Sequence, residues 1–430
     1  MGLRHGEVLV VAMIRNQCLS PLRRRVAGAD PRQVEARAGL VAADEAGRIA
    51  FRLALRDQLL DLRAAVAGFG ATVARRGAEH AETLWADSTY LQPAQPSTFG
   101  HYLGGFAEQA VRHLGRITAA YDLANVSPAG AGGVGGTRLP LDLARIAELL
   151  GFAAVGQQTR DAMWSTDALV DAVTAASQSV LTVDQLAEDL EVFASPAFDY
   201  VALDASLCRA SVLMPQKRNP YALAVLRGGT GTLLGRLGGL LTTGRTPSAR
   251  TDNWLYAYGE VTEALGLADR LVRLGTAVAN GLRPNADVLR EWAGMHHVGA
   301  TDLAEDIAVQ CRLDYRTAYR VVGRAVATAG ERGDPELTAS AVSAAAEALT
   351  GSPLSVPPAL LAAALDPAMT ATARNGTGGA SPDRVREHAQ AVRRRVDDAS
   401  RWNVDQRARI GGSENALLDP ARALLRTNQE

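Results

Sequence analysis

Apolar residues recur along this chain at steps of three and four over long stretches, the period of one face of an α-helix. After Pro96 the positions Phe99, Leu103, Phe106, Ala110, Leu114, Ile117 and Tyr121 form one stripe, along a helix of about 33 Å at about 1.5 Å per residue. A second stripe runs Leu169, Val173, Ala176, Val180, Val183, Leu186, Leu190, and a third Val261, Leu265, Ala268, Val272. Long helices with narrow stripes pack nearly parallel in bundles. No alternating strand pattern of any length stands against them, so the fold class predicted is all-α.

Between the second and third stripes, Tyr221 to Gly244 is apolar nearly all round, and Gly228, Gly231, Gly235 and Gly238 repeat within it. Each glycine costs a helix about 1 kcal/mol, so four on one face require a compensating role, and close approach of a neighbouring helix supplies it. A helix apolar on every side belongs at the centre of a large bundle. Sharing that centre between subunits predicts a homo-oligomer. Around it the expected division is a short N-terminal region (1–44, with Arg23, Arg24 and Arg25), the central bundle (45–294), a C-terminal helical domain (295–398) and a weakly ordered tail (399–430). Within the C-terminal part, Ser381 reads as the N-cap of a helix with Pro382 in its first turn.

Composition narrows the function classes. A net charge of −1 gives no reason to expect nucleic acid or an anionic membrane as partner. Cys18, Cys208 and Cys311 are too widely spaced for a disulfide framework or a zinc site. The apolar run Val8 to Ile14 is too short to span a bilayer and no signal-peptide cleavage pattern follows it, so a cytoplasmic location is expected. The 45 basic residues are arginines with one exception, Lys217. A compact ammonium is retained where a guanidinium fork would not fit, which marks Lys217 as a functional candidate.

Its neighbours strengthen the case. Ser211-Val-Leu-Met-Pro-Gln-Lys217-Arg-Asn219-Pro220 is a loop bracketed by prolines that favour extended backbone. It offers a hydroxyl, an ammonium and carboxamides: a base if the serine is deprotonated, a cation for developing charge, and donors to a carboxylate. An ordinary polar loop would look similar apart from the lone lysine.

This loop resembles the G-S-S-x-M-P-x-K-x-N-P signature of the argininosuccinate lyase/fumarase/aspartase superfamily. Ser88-Thr-Tyr-Leu-Gln-Pro-Ala-Gln-Pro96, NVSPAGAGGVGGTRLPLD at 125–142, ATDLAEDIAVQC at 300–311 and LDPAMTATARNGTGGASPDRVRE at 365–387 resemble argininosuccinate lyases in the same chain order. The resemblance, over roughly 45–398, implies a long central helical bundle pooled in a homotetramer, with smaller helical N- and C-terminal regions and active sites built from three subunits. It implies Ser211 as the base that takes the proton next to a carboxylate. Lys217 and Asn219 hold that carboxylate and its aci-form, with Gln216 beside them, and Thr89 binds a carboxylate. No metal or organic cofactor is implied.

The departures are as informative. The family's second signature serine is Val212, its catalytic histidine is Tyr90, and the glutamate that partners that histidine is Ala224. The S-R-N-D segment reads Ala42-Ala43-Asp44-Glu45, and the arginine of DAVSDRD is Thr166. Ordinary argininosuccinate cleavage is therefore not expected. The expectation is a carbon–nitrogen lyase of specialised metabolism acting on a small-molecule carboxylate, with Tyr90 as proton donor, since a tyrosine ordinarily keeps its proton at pH 7. The alternative is a catalytically silent paralogue serving as scaffold or assembly partner. Gly130-Ala-Gly132-Gly-Val-Gly135 matches a dinucleotide fingerprint only formally, for want of a preceding strand. His101 and His113 read as structural residues, and His296-His297 could replace the lost relay only if the fold carries it to Tyr90.

Overall fold

Fourteen helices and four two-stranded ladders make up the computed structural model, which describes residues 43–248, 254–332 and 337–427. The arginine cluster at 23–25, Cys18 and the N-terminal region before Ala43 lie outside these residues. Six long helices form the body: α1 (Ala43–Glu79), α2 (Phe99–Ala124), α5 (Asp167–Phe193), α6 (Tyr221–Thr243), α7 (Trp254–Gly281) and α14 (Pro382–Thr427). Short helices α3 (Leu143–Leu149) and α4 (Thr159–Trp164) join α2 to α5. The C-terminal part holds α8 (Ala286–Gly294), α9 (Ala300–Gln310), α10 (Tyr315–Arg332), α11 (Ala339–Thr350), α12 (Pro358–Leu365) and α13 (Pro367–Ala373).

Every residue of the three apolar stripes is buried, and α1, α2, α5, α6, α7 and α14 share one core. A separate cluster under α9 to α12 includes Leu303, Ile307, Val321, Val322, Val342 and Leu360. The chain is the all-α protein that its periodicity indicates, and Ser381 does cap α14, its carbonyl taking the N–H of Val385 at 3.0 Å.

Two expectations fail. Of the tail expected to be weakly ordered, residues 399–427 are helical, since α14 runs on to Thr427, and 428–430 lie outside the described residues. Arg63 on α1 donates from Nη1 to the carbonyl of Ala399 at 2.5 Å and to Oδ1 of Asn403 at 2.9 Å, while Asn403 Nδ2 donates back to Leu60 O at 3.0 Å. The Arg63 guanidinium also lies 4.3 Å from the ring centroid of Trp402, and Ile410 and Leu417 are buried beyond it. These anchors are polar or aromatic, so no aliphatic stripe announces them. Burial pulls the guanidinium of Arg63 down to about 10.

The second failure is a hairpin. Strands β1 (Leu84–Thr89) and β2 (Gln92–Thr98) pair antiparallel across a two-residue turn at Tyr90 and Leu91. Its root is seated by Trp85, whose ring packs edge-on against Phe99, Phe193 and Tyr200 at 5.2 to 5.7 Å. The remaining strands are two or three residues each: β3 (Val126–Ser127) with β4 (Ala154–Val155), β5 (Val201–Leu203) with β8 (Leu282–Pro284), and β6 (Arg209–Ala210) with β7 (Arg218–Asn219). Although β3 precedes the 130–135 glycines, the chain then turns and reaches no helix until Leu143. A dinucleotide crossover is absent there.

Candidate active site

The signature segment is the loop of the β6–β7 hairpin, projecting before α6. Backbone bonds hold it closed: Ser211 N donates to Lys217 O at 3.2 Å and Lys217 N to Met214 O at 3.0 Å. Inside that turn the Ser211 hydroxyl oxygen accepts the backbone N–H groups of Leu213 at 3.3 Å and Met214 at 3.1 Å. Two amide dipoles thus converge on one oxygen, an arrangement that favours negative charge on it. Asn219 Nδ2 donates one of its two protons to Arg209 O at 3.2 Å, and the Arg209 guanidinium lies 5.5 Å from the ring centroid of Tyr221, the first residue of α6. Gln216 and Lys217 are exposed, and Val212 at 95% and Leu213 at 89% stand almost fully in solvent.

The other candidates sit at the tip of the β1–β2 hairpin. Thr89 is exposed and Tyr90 is 98% exposed. Tyr90 and Leu91 adopt φ of 57° and 60°, the left-handed pair that a two-residue hairpin demands and that Asn-Gly ordinarily supplies. For side chains of this size the conformation costs about 1–2 kcal/mol per residue, so it has to be imposed by the strands on either side. Strain of this kind concentrates at functional positions.

Along the flank of the same hairpin runs a cleft of about 710 Å³, walled by Asp87, Gln95 and Ser97, by His101 of α2, by Asp302, Glu305 and Asp306 of α9, and by the Arg374–Ala380 loop. Arg374 grips Asp302 with Nη2 bonds of 2.7 and 2.9 Å to the two carboxylate oxygens. His101 Nε2 lies 3.0 Å from Gly378 O, and so donates to it. Burial raises the carboxyls of Asp302 and Asp306 above their usual range, with Arg374 partly offsetting the effect at Asp302. The lining is acidic on balance. These residues lie in the 300–311 and 365–387 stretches whose resemblance the sequence displays; a search for titratable side chains there would have found them.

A lyase family model matches residues 44–235. Argininosuccinate lyase of Halobacterium salinarum is 37% identical over 349 residues, spanning 80% of this chain and 70% of that protein. The chain belongs to the argininosuccinate lyase family. Argininosuccinate lyase 1 of Mesorhizobium japonicum is 33% identical over 282 residues, covering 65% of this chain and 60% of its own length. The fold is also that of EDDS lyase solved in complex with formate, with a TM-score of 0.89 at 24% identity over 99% of this chain and 92% of that one. Fumarate lyase from Mesorhizobium sp. BNC1 superposes with a TM-score of 0.68 at 17% identity, over 89% of this chain and 93% of its own.

Set in the argininosuccinate lyase family, the departures acquire places. Ala224 is exposed in the first turn of α6, and Thr166 is the N-cap residue of α5 without a side-chain capping bond. Ala43 opens α1. His296 stacks on Trp292 at 5.3 Å, and Val298 packs with Leu84 and Ala86 at the hairpin's root, so one chain does not bring the histidine pair to Tyr90 at the tip. His113 is structural: Nε2 meets Thr182 Oγ1 at 2.8 Å and Nδ1 meets Arg116 Nη1 at 3.1 Å. Among the described residues no cluster of His, Cys, Asp and Glu could hold a metal ion, and no helix is long and apolar enough to cross a membrane.

Proposed function

We propose that this member of the lyase family cleaves a carbon–nitrogen bond next to a carboxylate, in either direction, on a substrate of specialised metabolism other than argininosuccinate. The observation that carries the reading is the Ser211 oxygen receiving two backbone N–H groups inside the family's signature loop. Two N–H donors on that oxygen favour its anionic form over the neutral hydroxyl, the form a base requires. Ser211 takes the proton from the carbon beside the carboxylate, and the electron pair passes into that carboxylate as an aci-form. Lys217, Gln216 and Asn219 face the added charge. As the pair returns, the neighbouring C–N bond breaks, nitrogen keeps its electrons, and Tyr90 supplies the proton that releases the amine. Thr89 holds a carboxylate of the substrate.

The acidic cleft beside the hairpin supports an amine leaving group, since Asp87, Glu305 and Asp306 there suit a cation better than an anion. Assembly supports the same reading. Only Ala222, Leu223, Leu226, Thr230, Leu233 and Leu240 of α6 are buried, leaving Val225, Leu234 and Leu241 exposed. A Cβ placed on Gly228, Gly231, Gly235 or Gly238 would meet nothing within 4 Å. That open face fits a homotetramer in which copies of α6 pack together and bring the two exposed hairpins to a shared site.

The test is a screen of N-succinyl amines, argininosuccinate included, for the rising ultraviolet absorbance of an unsaturated acid, with Ser211→Ala beside the parent. Turnover of a succinyl amine that Ser211→Ala abolishes, with argininosuccinate poor or inert, is expected. Full activity on argininosuccinate would refute the altered specificity. No turnover in either direction across the screen would favour the silent scaffold.

A further inference from the structure

Helix α10 turns Ala318, Val321, Val322, Ala325 and Ala329 onto the C-terminal core. Its opposite face carries Arg316, Arg320 and Arg324 at four-residue steps, with Arg312 just before the first turn, and all four are exposed. Each step advances about 6 Å along the axis and rotates about 40°, so the three helical positions form one row, a ladder that drifts about 80° around the axis over about 12 Å. Tyr315 and Tyr319 flank it at 49% and 62% exposure, their rings 6.5 Å apart.

Several surface arginines elsewhere are paired with carboxylates, as in Arg227 with Asp184, Arg395 with Glu108 and Arg407 with Asp61. Among the described residues no ion pair or side-chain hydrogen bond engages the four arginines of the ladder. The nearest acid in sequence, Asp314, is committed to capping α10 through the N–H of Thr317 at 3.0 Å. Glu331, at the far end, is the single acid on the helix. Because the whole chain carries a net charge of −1, four uncompensated positive charges on one face are a local feature and not the edge of a generally basic surface.

We propose that this face of α10 docks an acidic helical segment of a partner protein, with Asp or Glu at four-residue steps. Such a helix repeats its carboxylates at the same axial spacing as the ladder. Arginine and tyrosine are also the side chains that dominate contact energies at protein interfaces. Single-stranded nucleic acid fits less well. It is held in a basic groove with rings presented as stacking platforms, whereas this face is a convex helix with two mutually tilted rings.

The experiment uses the full-length protein and a fluorescent alanine-based peptide of about twenty residues, long enough to hold a helix, with four glutamates at four-residue steps. A peptide of identical composition with the glutamates dispersed around the helix, and an oligothymidine of similar length, are the comparators in fluorescence anisotropy. The ladder peptide is expected to bind at least about tenfold tighter than the dispersed one, with affinity falling as salt rises. Arg316→Glu/Arg320→Glu/Arg324→Glu is expected to abolish binding while circular dichroism and oligomeric state stay unchanged. If that variant fails to fold, Arg320→Gln is expected to weaken binding several-fold. Equal affinity for both peptides, tighter binding of oligothymidine, or parental binding by a folded variant would overturn the proposal. So would a change of oligomeric state in the folded triple variant, since the face would then be a contact between copies of this chain.

Discussion

Met214→Pro deletes a single hydrogen-bond donor and tests the proposed base directly. The N–H of Met214 reaches the Ser211 oxygen at 3.1 Å and that of Leu213 at 3.3 Å. Proline removes the first and keeps the Met214 carbonyl that accepts from Lys217 N. Loss of one such donor costs about 10²–10³ in kcat. The Met214 bond lies at the long end of the usual N–H···O range and the Leu213 bond just beyond it, so the lower figure, about a hundredfold at neutral pH, is expected. Met214→Ala keeps the N–H and should stay within a few-fold of the parent. The pH profile separates loss of charge stabilisation from simple distortion. With one donor gone, the serine loses its proton less readily, so the rise of kcat with pH moves to higher pH and activity recovers in alkali. Distortion lowers the rate at every pH. The assay is the ultraviolet absorbance of the unsaturated acid released from a succinyl amine. If Met214→Pro reacts at the parental rate, or its profile falls without moving, the amide pair does not poise Ser211.

Lys217→Arg should fold and assemble normally yet lose on the order of a hundredfold in turnover, since a displacement of about 1 Å at the carboxylate costs that much. Gly235→Leu should leave the helical content intact, because beyond the local backbone of its own helix no atom lies within 4 Å of a Cβ there; light scattering should show smaller species. Asn403→Ala removes one acceptor from the Arg63 guanidinium and a second donor from Leu60 O, a loss of about 1–2 kcal/mol readable as a lowered urea midpoint. Burial, with Arg116 and Arg112 nearby, pulls His113 down to about 4, so the unfolded chain takes up its proton first. Stability is therefore held above the ordinary histidine range and lost as pH falls from there toward 4. His113→Gln should flatten that acid loss in pH-dependent unfolding curves.

Helix positions were legible in the sequence because each long helix buries one stripe, and a stripe is periodic. The β1–β2 hairpin was not, because Tyr90-Leu91 lacks the glycine or asparagine that marks a two-residue turn, and Pro93 and Pro96 sit within β2. The stretch from residue 399 reads as weakly ordered because Arg63, Asn403 and Trp402 secure its start through contacts that have no period. At the site, residue types pointed to the signature loop, but not to how its serine is held. The two N–H groups on Ser211 belong to the backbone, and a string of side chains does not display them. The cleft has a similar origin: Asp302 and Arg374 are 72 positions apart, and folding alone makes them partners.

The proposed replacement of the family's histidine by Tyr90 and of its glutamate by Ala224 can be understood as one change. A histidine that donates its proton begins as a cation, and a carboxylate beside it stabilises that state. A tyrosine that donates its proton begins neutral and ends as an anion, and a carboxylate beside it would oppose the transfer. In the proposed mechanism, Tyr90 at the histidine's position therefore requires the glutamate's position to be uncharged, and Ala224 makes it so. The backbone around Tyr90 agrees with a retained role. Its left-handed conformation and that of Leu91 together cost about 2–4 kcal/mol, and the exposed ring recovers none of it inside one chain. A turn selected only to join two strands would have relaxed to glycine or asparagine. This one keeps a tyrosine at its tip, as the proposed role of proton donor requires.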